Sequence, residues 1–236
     1  MYYGMGLYWD PTYILVLIGL VLCLAASGLV NSTMHKYSRV HNMSGLTGAE
    51  AARRILDREG LYQVQIECLS NRSGDHYDPR SNTVRLSQSN YQNASVTAVA
   101  VAAHECGHAI QHAKGYAPLS IRSVLVPVVN IGSTLGVPLI FLGVLLSWNQ
   151  TLIQIGIWAF ALSVLFQLVT LPVEFNASRR AIAKVEEYGL LSTSENKGCR
   201  KVLTAAAMTY VAAAASSALQ LLRLVLLFGG GRRRRD

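Results

Sequence analysis

Between residues 123 and 173 the chain runs for 51 positions without an Asp, Glu, Lys or Arg. A bilayer core about 30 Å thick takes roughly 20 apolar helical residues, so this run has the length of two crossings. Residues 11–34 form a second uncharged run, long enough for one span, and residues 202–222 form a third. Charged residues are only 14% of the 236 positions, where a soluble domain carries about 25%. A disordered, collagenous or ordinary cytosolic chain is excluded. The expected fold class is mainly α: a multi-pass membrane protein with a small β element.

The first run lacks a basic segment before it and an A-x-A site after it, so it reads as a retained span rather than a signal peptide. Positive charge sets the orientation. Residues 1–10 hold no Lys or Arg, residues 31–122 hold ten, and residues 174–201 hold six, while the turn at 147–150 holds none. The N-terminus and that turn are expected outside, and both polar segments in the cytoplasm. The expected organisation is a first span over 1–34, a cytoplasmic unit over 35–122 and a membrane hairpin over 123–173. A polar helical segment over 174–201, an apolar or amphipathic helix over 202–228 and a basic tail over 229–236 complete it.

Net charge is +8, half of it from Arg232, Arg233, Arg234 and Arg235. Without interleaved aromatics this cluster suits anionic lipid headgroups rather than nucleic acid. The C-terminal run is ambiguous. Wound as a helix, Thr209, Tyr210, Ser216, Ser217, Gln220 and Arg223 share one stripe, which suits a helix packed on protein or lying at the interface. Three spans plus this packed helix is preferred, narrowly, to four spans. The four cysteines form no CxxC pair and do not suggest a disulfide framework.

Within the cytoplasmic unit, Thr47 and Glu50 form a capping box for an amphipathic helix ending at Glu59, before Gly60. Residues 64–69 and 83–86 read as strands, and 75–80 (DHYDPR) as a turn. A long helix is expected from near Asn93 to a C-cap at Gly115.

That helix carries His104, Glu105 and His108 as H-E-x-x-H. Residues four apart share a helix face, so both imidazoles can reach one zinc ion, with Glu105 placed as the general base. His112 continues the face but lies about 12 Å from His104 along the axis, too far for a compact tetrahedron. Glu174, the first charge after the 51-residue run, is the better third ligand, since mouths of spans ordinarily carry Lys or Arg. Ser178, four residues on, is either a hydrogen-bond partner for a liganding histidine or a plain surface serine.

The blocks DHYDPR, TVRLS, SVTAVAVAAHE, HECGHAIQ, LPVEFNASRRA and KVLTAAAMTYVAAA together resemble the YugP-like bacterial neutral zinc metallopeptidases. The resemblance extends over nearly the whole chain, and implies a multi-pass bacterial plasma-membrane protein with one zinc per chain and peptidase activity. A remoter similarity is to the HtpX and CAAX prenyl proteases, whose E-x-x-A-D block implies Glu174 as a ligand. Ser178 stands where that block has an acid.

A peptidase also needs a donor for the oxyanion. His76, Tyr77, Arg179 and Tyr210 are the candidates. The strand at 83–86, taken as a sheet edge, is a candidate dock for an extended peptide. The expected partners are the lipid bilayer and a peptide or membrane-protein substrate, with any membrane-protein partner or homo-oligomer left open. A non-cleaving membrane scaffold with structural zinc is the alternative, and Glu105 discriminates, because a scaffold has no use for it. A metal transporter fits worse, because the central spans carry only Asn130, Gln154 and Gln167 as large polar groups.

Overall fold

The computed structural model describes residues 10–69 and 74–229. Residues 230–236, with the four tail arginines, lie outside them, as do residues 1–9 and 70–73. The described elements are, in order, α1 (Tyr13–Ser38), α2 (Gly48–Arg58), β1 (Gln65–Leu69), β2 (His76–Asp78), β3 (Thr83–Ser87), α3 (Gln88–Gln92), α4 (Val96–Ala113), α5 (Ala117–Leu145), α6 (Gln150–Glu187) and α7 (Thr193–Phe228). The protein is a mainly α membrane protein. By length and composition α1, α6 and α7 can each cross a bilayer. Their apolar side chains stay largely uncovered by protein, as at Leu24 with 64% exposure. The chain divides into two compact units, and the helices α1, α5, α6 and α7 each contribute to both.

The first unit comprises residues 26–125 and 168–211. Its α2 opens with the expected capping box: Glu50 N donates to the Thr47 hydroxyl at 3.2 Å, and Thr47 N to Glu50 Oε2 at 2.9 Å. The apolar face of α2, with Ile55 and Leu56 fully buried, joins Val99, Ala103 and Ile110 of α4 and Val84 and Leu86 of β3 in one core. Ser95 caps α4 by accepting from Ala98 N at 3.1 Å, two residues later than expected. Gly115 follows the helix with φ +60°, the left-handed conformation a helix stop requires.

Two expectations are corrected here. Residues 76–78 are not turn but strand, and β3 is the middle of a three-stranded sheet of order β1-β3-β2. β1 pairs with it in parallel and β2 antiparallel. With both sides of β3 taken, it has no free edge for a peptide. The sheet's edge strands are β1 and β2. The turn chemistry of DHYDPR is real but belongs to Pro79–Asn82, where Asp78 accepts from Arg80 N at 2.9 Å and Ser81 Oγ at 2.8 Å.

The second unit comprises residues 10–25, 126–167 and 212–229 among those described. A Cβ built on Gly156 of α6 would lie 2.6 Å from the Gly136 carbonyl of α5, so the hairpin packs on small residues. Gly19 of α1 lies against Ser216 of α7, and Cys23 Sγ donates to Ala212 O at 3.7 Å. Farther along α7, Arg223 lies 3.7 Å from Asp10 and 4.3 Å over the Tyr13 ring. Phe228 reaches Trp148 of the hairpin turn, with ring centroids 6.0 Å apart. The end of α7 therefore sits with the start of α1 and the 147–149 turn. α7 is thus a helix packed on protein, as the polar stripe suggested, and it is also long and apolar enough to cross a bilayer. The polar stripe of α7 meets neighbouring helices: Gln167 Nε2 donates to Ser217 Oγ at 2.9 Å.

Candidate metal centre

The helix α4 is buried along almost its whole length, and its flank of small residues lets other elements approach closely. Gly107 does this most directly. A Cβ there would meet the backbone of Ala177 in α6, with the carbonyl oxygen at 2.6 Å. That approach brings the face carrying His104 and His108 against the turn of α6 that carries Glu174. Their ligand atoms all lie within 4.8 Å of one another. Glu174 Oε2 is 3.3 Å from His104 Nε2 and 3.7 Å from His108 Nε2, and Glu174 is only 2% exposed. Pro172 lies inside α6, which continues without interruption to Glu187.

Hydrogen bonds around the site settle the tautomer of His108. Arg180 Nε donates to Asn176 Oδ1 at 2.8 Å, which fixes that amide. Gln111 Nε2 then donates to the same oxygen at 3.0 Å and to Val173 O at 2.8 Å. The Gln111 oxygen is left to accept from His108 Nδ1 at 3.0 Å. Neutral His108 therefore keeps its lone pair on Nε2, facing Glu174. On the other ring, His104 Nδ1 lies 3.2 Å from the Ser178 hydroxyl.

Three acceptor atoms converging in a buried space repel one another without a cation between them. Glu174 Oε2 has no hydrogen-bond partner. Two imidazoles and a carboxylate are a zinc-type donor set. The residues fit the ion. Burial pushes the His108 pKa down, but the nearby Glu174 and Glu105 carboxylates outweigh it and leave the value above that of an ordinary histidine. Protonated His108 thus steadies the metal-free fold at low pH. That contribution disappears as pH rises through the raised value, and there zinc can take the nitrogen.

A cavity of about 200 Å³ opens beside this cluster, lined by His104, Glu105, Glu174, Ser178, Asp75 and Tyr210 among others. Glu105 makes no hydrogen bond or ion pair among the described residues, so its carboxylate is available to the cavity. Of the four candidate donors, Tyr210 lines this cavity. Arg179 lines a larger neighbouring one of about 400 Å³, which shares Ser178, Leu203 and Ala207 with it. His76 Nδ1 lies 2.9 Å from Gly74 O, and the residue does not line either cavity. Tyr77 donates to Asn82 Oδ1 at 2.7 Å and lies 2.8 Å from His112 Nδ1, and burial pushes its hydroxyl up to about 12. His112 is thus occupied at the helix end, away from the ligand cluster. The sequence reading missed Gln111, Asn176, Arg122 and Asp75. Asp75 is tied by Ser87 N at 2.6 Å and Asn90 Nδ2 at 2.8 Å. Arg122 donates to Glu174 Oε1 at 3.0 Å.

Residues 12–229 match the profile of a family described as "putative neutral zinc metallopeptidase". The chain belongs to this family. It is also 48% identical over 198 residues to "Putative membrane protease YugP" of Bacillus subtilis (strain 168), covering 81% of this chain and 88% of that protein. No solved structure matches the chain. The sequence-level resemblance to the YugP-like metallopeptidases is thereby upheld, and membership in a zinc metallopeptidase family agrees with the donor set.

Because Gly107 sets the spacing of the ligand helices, Gly107→Ala should cost about 1–3 kcal/mol from overpacking and weaken zinc binding. The neighbouring atoms are backbone and cannot swing aside. Gly28→Ala is the control, since nothing lies within 4 Å of a Cβ there. Thermal melts and zinc titrations of the two variants should separate cleanly.

Proposed function

We propose that the protein is a membrane-bound zinc endopeptidase that cuts other membrane proteins near the cytoplasmic face of the bacterial plasma membrane. The observation that carries this reading is the buried, unpartnered Glu174 Oε2 between two imidazole nitrogens, with the unpaired Glu105 lining the same cavity. His104, His108 and Glu174 hold the ion. When bound, zinc supplies the Lewis acidity that makes water nucleophilic near neutral pH. Glu105 takes a proton from the attacking water and delivers it to the leaving amine, so the peptide bond breaks without a free base or acid. Tyr210, the candidate donor lining the cavity, donates a hydrogen bond from its hydroxyl to the developing oxyanion. Ser178 and Gln111 hold the two rings with Nε2 turned towards the ion.

The substrate class follows from Glu174 being the first charge after an uncharged run of 51 residues. A ligand so placed in the chain suits juxtamembrane segments better than freely diffusing peptides. A scaffold with structural zinc would need the ligands but not a free Glu105. The test is the purified, zinc-loaded chain in detergent or nanodiscs, assayed on peptides and membrane-protein fragments. Proteomes of cells carrying wild type and Glu105→Gln then identify what stays uncut. Absence of any zinc-dependent cleavage would return the scaffold reading.

Orientation is tested separately. A reporter fused after Arg85 should be cytoplasmic and one at Asn149 external, and an impermeant thiol reagent should fail to label Cys68 or Cys199 in intact cells. A reporter after Gly229 should share the side of Asn149, because the Phe228 ring lies against that of Trp148. Opposite sides for Asn149 and Gly229 would contradict four spans.

A further inference from the structure

The uncharged run 123–173 is bounded by charges of opposite sign, Arg122 before it and Glu174 after it. In the fold these two meet. Arg122 Nη1 donates to Glu174 Oε1 at 3.0 Å, while the other oxygen, Oε2, faces the histidine nitrogens at 3.3 and 3.7 Å. We propose that Arg122 is a positioning residue that makes Glu174 a one-oxygen ligand. This rests on the zinc reading above.

A carboxylate beside a metal ion can present one oxygen or both. With both, it fills the coordination position that a catalytic site keeps open for water. A guanidinium hydrogen bond to a carboxylate is charge-assisted and strong, and the Glu174 side chain is 3% exposed, so water competes poorly for Oε1. Arg122 therefore withdraws Oε1 and leaves Oε2 to the ion. The arginine is not itself a ligand. Its positive charge opposes a divalent cation, so it costs metal affinity while it keeps the site open. This separates its role from that of a residue present only to stabilise the fold. Arg122 also gives α5 a hold on the ligand that α6 supplies.

Cobalt substitution tests the assignment, since four-coordinate Co2+ absorbs visible light far more intensely than five-coordinate Co2+. The wild-type chain should bind one Co2+ with intense bands, and this arm alone tests the metal site. Arg122→Met keeps the packed stem but removes the donor. It should still bind Co2+, show weakened bands, and lose about 10- to 100-fold in kcat with KM near wild type. Arg122→Lys keeps a charged donor and should keep the bands. Full-intensity bands in Arg122→Met, or weakened bands in Arg122→Lys, overturn the assignment. The Lys variant decides alone if the Met variant does not fold.

Discussion

Glu105→Gln should abolish peptide hydrolysis while leaving one zinc per chain. The carboxylate lines the metal cavity without a hydrogen bond or ion pair of its own among the described residues, and it is not among the three clustered ligands. Glutamine keeps its size and some of its polarity but cannot accept the proton of the attacking water. Positioned acid–base groups contribute about 10²- to 10⁴-fold to such reactions, and a loss in that range is expected in kcat with KM nearly unchanged. Metal analysis and a fluorogenic peptide assay on the same preparation provide the check. Full zinc with undiminished cleavage would remove Glu105 from the mechanism.

Glu174→Ala acts on the other half of the site and should lower zinc affinity by more than about 100-fold, the upper end of what losing only an outer partner costs. The substitution deletes the oxygen between the two imidazoles and strands Arg122 without its acceptor. Other acids on α6 cannot take over. Glu186 is held by Arg200 at 2.7 and 2.9 Å, and Glu187 by Lys184 at 2.8 Å. Glu186→Ala and Glu187→Ala should therefore bind zinc like wild type. Competition titration against a chromophoric chelator measures all three. Unchanged affinity in Glu174→Ala would move the third ligand elsewhere and take the membrane-edge substrate class with it.

Much of this architecture is legible in the residues, because the bilayer and the helix repeat impose simple rules. Uncharged runs marked the long helices, the Thr47–Glu50 box marked α2, and the H-E-x-x-H spacing marked the face of α4. Glu174 stood out by sign and place alone. The sheet order was not legible: β2 is three residues long, too short for alternation to show, and pairing between strands leaves no local trace. The side of α7 was hidden for a related reason. Its polar stripe reads the same whether it meets protein or headgroups, and only the contacts with Asp10, Tyr13 and Trp148 distinguish the two. Gln111 carried no signal of its own, because its partners Val173 and Asn176 lie 62 and 65 residues away in sequence. Two of its three hydrogen bonds, to Val173 and Asn176, form only once α6 is docked. Arg122 was visible as a boundary charge, but its meaning depended on the far end of the same run.

The interlock of Gln111 with His108, Val173 and Asn176 has a consequence in time. His104 leaves the ribosome 70 residues ahead of Glu174, an interval of about 4 to 14 s at about 5–20 residues per second. Throughout it the nascent chain displays the zinc motif with neither its third ligand nor the carbonyl and amide that lock the histidine ring. Metal affinity arises with folding in such sites, so the complete donor set exists only after the hairpin has been made and α6 has docked. A chain cut short before Glu174 has only two of the three clustered donors. The order of these residues along the polypeptide thus holds back metal loading until the hairpin is complete.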